Sequence, residues 1–187
     1  MPFSRENDLK DALPRIEKPP SIGLWMLFGV PGLLILSVAI AYLWILPDLN
    51  SGKSSLQTQT CLTNLGELAR ATNLYAADFD DHIPSKAWNS ALTPYLHDRP
   101  DYELMFACPV QRRMDPESSG YALNSAVAGK QMKSIGTPNT TILIFDSEPT
   151  NPGAIASTDQ MASPGRHEHG RVNNVVFVDG NVKSIRK

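Results

Sequence analysis

The chain has 187 residues, a formal net charge of -2 and a pI near 6.1. That length holds one modest domain beside any membrane segment, and the absence of a basic surplus excludes nucleic acid as a partner. No repeat of fixed period and no low-complexity run occurs.

Met1 to Pro20 is polar, proline-containing and balanced in charge, and reads as a short cytoplasmic tail. Ser21 to Leu46 then runs without a charged residue. At about 1.5 Å per residue, a helix over 21–46 exceeds a hydrocarbon core of about 30 Å. Trp25, Tyr42 and Trp44 lie near its ends, as interfacial aromatics do. A cleaved secretory signal is the competing reading, since Ala39-Ile40-Ala41 resembles a small-x-small cut site. Arg5, Lys10, Arg15 and Lys18 precede the span, whereas only Lys53 follows at similar distance. The bias predicts a single-pass membrane protein with its N-terminus cytoplasmic and residues 47–187 extracytoplasmic. The lipid bilayer is then a partner.

Outside the cytoplasm a cysteine pair is readily oxidised. A Cys61–Cys108 disulfide is expected, closing a loop of about 47 residues and contributing about 3–4 kcal/mol on the chain-entropy model. The alternative is two separate buried thiols.

"CLTNLGELARATNLYAADFD" has helical periodicity, with Leu62, Leu65, Ala69, Thr72 and Ala76 at three- and four-residue steps. It should end near "DFDDHIP". "WNSALTPYL" (88–96) reads as a brief helix or turn that docks aromatics. "TTILIFDSE", from Thr140, reads as a strand. "NNVVFVDGNVKSIR" has two apolar runs about Asp179-Gly180, which suits a two-residue hairpin turn. A long helix followed by strands is an α+β pattern with an antiparallel sheet.

Two clusters invite chemistry. His167 and His169, two apart, would share one face of a strand, and Asp179 could add an oxygen to a metal site. Asp179 is already explained by the turn, so the expectation is no metal. "DFDDH" offers Asp78, Asp80 and Asp81 to calcium, but lacks the central glycine and closing glutamate of a calcium loop. Phosphate-loop and nucleophile-elbow patterns are missing, so no catalytic residue and no cofactor are assigned.

In this order the pieces resemble pilin-like proteins related to the type II secretion pseudopilins, in particular those with a C-terminal domain named for His, nine residues, then Asp-Gly. His169 is followed by "GRVNNVVFV" and then Asp179-Gly180. The helix from Cys61, "LTPYL", "FACP", "GYALN" and "TTILIFDSE" are similar to family segments in the same order. The resemblance implies a pseudopilin-like α+β fold: a long N-terminal helix, partly transmembrane, packed on a small antiparallel β-sheet. It implies a non-enzymatic, membrane-anchored structural or accessory subunit of a secretion or pilus-type apparatus, with other pilin-like subunits as partners. It also makes His169, Asp179 and Gly180 motif residues; the role expected of the histidine is structural, a bond across the hairpin that holds the sheet's edge. The family's His follows an Arg, however, and here Arg166 precedes His167. His167 is therefore the motif residue if two residues are inserted. The chain also departs from the family pattern before its apolar run, where Leu24 follows Gly23 and no acidic residue occurs from Ser21 to Leu46. Two other function classes stay open: a tethered ligand-binding module using loops 110–165, and a metal-dependent hydrolase using His167, His169 and Asp179.

Overall fold

The computed structural model describes residues 22–149 and 151–186. The tail 1–20 lies outside the described residues. So do the side chains of most of 21–30 and all of 45–51, with Trp25 among them. The chain divides into two compact units, Met1–Asp48 and Leu49–Lys187.

Helix α1 spans Ile22–Asp78. Its described side chains from Pro31 to Trp44 are exposed. Among the described residues no helix is long and apolar enough to cross a membrane. The partly transmembrane helix expected from the sequence is corrected on this ground.

In the second unit, α1 buries Thr58, Cys61, Leu65, Leu68, Ala69, Thr72 and Ala76. Steps of three and four residues put these side chains on one stripe, which is why this segment packs as a helix. Phe79 closes the last turn by bonding back to Tyr75 O, at 3.0 Å. Asp80 and Asp81 then take positive φ values of 49° and 67°, a conformation Asp tolerates better than most residues.

Short helices follow: α2 (Trp88–Leu92), running into a 3₁₀ turn over Thr93–Tyr95, then α3 (Tyr102–Met105) and α4 (Pro109–Met114). The strands are β1 (Tyr121–Asn124), β2 (Ile142–Asp146), β3 (Ala154–Ala156), β4 (Asn173–Phe177) and β5 (Val182–Ile185). They form one sheet in the order β3-β1-β2-β4-β5. Three pairings are antiparallel, but β1 and β3 run parallel. The sheet is therefore mixed and five-stranded, which corrects the expected small antiparallel sheet. The physical reason is the long return from β2 through 147–153. It brings β3 to the far edge beside β1 rather than folding back as a hairpin.

Both faces of the sheet are covered. One packs Tyr121, Leu123, Ile144, Val176 and Val178 against the α1 stripe, together with Trp88, Leu92, Leu96 and Met105. The other buries Ala122, Phe145 and Val175 with Ala154, Ala156 and Met161. Trp88 is fixed by its indole N–H, which donates to Ala154 O at 2.8 Å.

Candidate functional site

Strand alternation sends Ile144 and Asp146 to the same face, the one that meets α1. Register then fixes the neighbours. Tyr121 stands opposite Asp146, and Phe145 pairs with Val175, so Asn174 lies beside Asp146. At this end of the sheet the α1 stripe presents Cys61. Cys108 enters from the loop before α4, held by its N–H donating to Ser119 O at 2.7 Å. His167 enters from the segment before β4, through the His167–Val172 bridge.

The result is a buried group of Cys61, Cys108, Asp146 and His167, whose potential ligand atoms all lie within 4.8 Å of one another. Cys61, Cys108 and Asp146 have no exposure and His167 has 2 %. Cys61 Sγ donates to Asp146 Oδ1 at 3.8 Å and accepts from Tyr121 Oη at 3.1 Å. Cys108 Sγ is 3.5 Å from His167 Nε2, which is 3.2 Å from Asp146 Oδ2. Asn174 N donates to the same Oδ2 at 2.7 Å.

Arg166 closes the group. Its Nη1 is 3.6 Å from Asp146 Oδ1 and donates to Gly120 O, while Nη2 donates to Ser147 O at 2.6 Å. Gly120 has φ 75°, and a Cβ there would come within 2.7 Å of that guanidinium. Glycine is needed both for the backbone and for the arginine.

Burial, the largest influence on Cys61 and Tyr121, raises both well above their usual values. Burial also pushes Cys108 up, but hydrogen bonds from Cys61 and His167 outweigh it and bring the thiol to about 6. Burial pushes His167 down, but bonding to Asp146 and Cys108 wins and lifts it to about 9. His167 Nδ1 is buried without a hydrogen-bond partner, so the ring's polar contacts are all made through Nε2.

The fold brings Cys61 and Cys108 together, but as free thiols 4.3 Å apart. A disulfide needs about 2.05 Å between sulfurs. The expected Cys61–Cys108 disulfide is corrected accordingly, and each thiol has other buried partners instead.

The two histidines part company. His167 is buried in the group, whereas His169 is exposed with φ 61°. Glu168, His169 and Gly170 all have positive φ, so the residues after His167 loop outward before the chain returns at Val172. His169 does not bond across the hairpin. Asp179 accepts from Asn181 N at 3.0 Å and from its side chain at 2.7 Å, within the β4–β5 turn. His167, His169 and Asp179 therefore do not form a site. Gly180 supplies the turn's positive φ of 86°.

The acidic cluster is likewise used locally. Asp78 Oδ2 accepts from Tyr95 Oη at 2.8 Å, and Asp81 Oδ2 from Lys133 N at 2.8 Å. Among the described residues Asp78, Asp80 and Asp81 are not gathered as a ligand group.

Sequence reasoning missed Asp146, Arg166 and Tyr121. One signal was available for the first. "ILIFD" places a carboxylate directly in register with a buried strand, where a charge needs partners. Comparison of the chain with known protein families, curated proteins and solved structures returns no match.

Proposed function

We propose that this protein is a non-enzymatic structural or accessory subunit of a pilin-like assembly, joined to like subunits through the N-terminal part of α1. One observation carries the reading. Leu33, Leu34, Ile35, Leu36, Val38, Leu43 and Trp44 are 56–78 % exposed on consecutive turns of one helix. An apolar surface that continues around a helix needs to be surrounded, and like helices supply a matching surface. The order of motifs shared with pseudopilin-like chains supports the same reading.

The test is replacement of Gly29 and Gly32 by Leu in the full chain. A Cβ at Gly32 meets nothing within 4 Å, so the subunit itself has room for the new side chain. Close approach of a neighbouring helix does not. Crosslinked oligomers and co-purified partners should be lost while the melting of residues 49–187 is unchanged. Undiminished association counts against the proposal.

A second reading, a ligand-binding module, has one observation in its favour. An open groove of about 430 Å³ is lined by Asn89, Tyr102, Phe106, Arg112, Ser119 and Pro152. A monomeric chain whose small-molecule or glycan ligand is displaced by Arg112→Ala and Tyr102→Ala would favour it over assembly.

A further inference from the structure

We propose that Cys61, Cys108, Asp146 and His167 form a closed structural zinc site that fastens α1 to the sheet. Zinc in structural sites takes four tetrahedral ligands drawn from Cys, His and carboxylates. Metal–ligand lengths of about 2.3 Å to sulfur and about 2.0–2.1 Å to nitrogen or oxygen set the tetrahedron's edges. Those edges are about 3.8 Å between sulfurs, about 3.5 Å from sulfur to nitrogen and about 3.4 Å from nitrogen to oxygen. The fold gives 4.3 Å for the cysteine pair, 3.5 Å from Cys108 Sγ to His167 Nε2, and 3.2 Å from Nε2 to Asp146 Oδ2. Cys61 Sγ to Asp146 Oδ1 is 3.8 Å. Oδ1 is the carboxylate oxygen that His167 does not face, and all the ligand atoms lie within 4.8 Å of one another, so the side chains reach a zinc coordination shell by turning the carboxylate and closing in by about 1 Å.

Charge selects the same ion. With both cysteines as thiolates, the group holds three negative ligands, one neutral imidazole and the adjoining Arg166 guanidinium. A divalent cation brings the sum to zero. A monovalent cation leaves one negative charge in a site without solvent, and such a charge is costly. Thiolate and imidazole together favour zinc over magnesium or calcium, which prefer oxygen. On binding, one proton leaves Cys61 and one leaves the Cys108–His167 pair, both to solvent; no electrons move. Tyr121 Oη and Asn174 N already donate to Cys61 and Asp146, and so orient two of the ligands from outside.

The four ligands come from α1, the loop before α4, β2 and the segment before β4. The ion would thus join parts of the chain that only the fold brings together. This inference does not depend on the assembly reading.

The test uses the full chain purified under reducing conditions, exposed to zinc and then freed of loose metal. Elemental analysis should find about one zinc per chain. Cobalt in its place should show the visible bands and the thiolate charge-transfer absorption of tetrahedral sulfur ligation. A strong chelator should lower the melting temperature of the natural chain. Cys108→Ser and His167→Gln should each reduce zinc content at least tenfold, while His169→Asn keeps it. A natural chain that holds no zinc after this treatment overturns the proposal, whether or not the variants fold. So does stoichiometric zinc retained by a Cys108→Ser/His167→Gln double variant, or a Cys61–Cys108 disulfide that persists under the reducing conditions.

Discussion

Cys108 Sγ sits 3.5 Å from His167 Nε2, a contact between residues 59 positions apart in the chain. Their titrations are shifted in opposite senses, the thiol down to about 6 and the imidazole up to about 9. In the metal-free protein each gives stability a slope. The depressed thiol contributes above its unfolded value of about 8.5, and that contribution is lost as pH falls through about 6. The raised imidazole contributes below its unfolded value of about 6.5, and that contribution is lost as pH rises through about 9. The two slopes oppose each other. Urea midpoints of the metal-free chain should therefore vary little between pH 6 and 9. Cys108→Ser removes the thiol's slope and leaves His167 against Asp146. Its midpoint should fall steadily from pH 6.5 toward 9.

His167→Ala should destabilise residues 49–187 by about 3 kcal/mol, because it removes one partner from a buried charged group. His169 is exposed in a left-handed conformation that Asn also tolerates. His169→Asn should stay within about 0.5 kcal/mol of the natural chain. Denaturant unfolding of the two variants side by side checks the assignment, and equal losses would overturn it.

Arg166 has a side chain only 6 % exposed, and it ties the end of β2 to Gly120. Arg166→Met keeps much of the length but leaves Asp146 and two carbonyls short of a donor. A loss of about 3 kcal/mol is expected. Gly120→Ala should also destabilise, since it strains a φ of 75° and presses on the same guanidinium. The double variant should lose less than the sum, because the Arg166 clash is common to both, while the backbone strain and the crowding of Gln111 at Gly120 remain. A double-mutant cycle measures that directly.

Trp88→Phe should cost about 1–3 kcal/mol, the penalty of leaving the buried Ala154 carbonyl without its indole donor. The edge strand β3 is where the effect should appear first. Faster amide exchange at Ile155 and Ala156 in the variant is the expected sign.

The parts of the fold legible in the sequence were those set by local chemistry. The stripe from Cys61 to Ala76 follows helical spacing, and Asp80 with Asp81 marks its end. Asp179-Gly180 between two apolar runs marks the β4–β5 turn. The parallel pairing of β1 with β3 was not legible, because "AIA" at 154–156 carries no periodicity and its partner is set by the whole sheet. The buried site was half legible. Both cysteines and His167 stood out by residue type, but a two-residue histidine spacing pointed to a shared strand face. The chain instead turns outward at Glu168 and separates the two rings. Asp146 and Arg166 gain their meaning only from tertiary register, which no short motif encodes.

The sheet ends on one side in β3, only three residues long, and on the other in β5, where Lys183 stands exposed and the exposed Arg186 follows directly after the strand. A brief edge and a charged edge both discourage a strand from another chain from adding on. Copies of this protein brought close together in large numbers therefore lack an easy route to runaway β-stacking. Crowding would leave their sheets separate, and any ordered contact between them would have to be made by other surfaces.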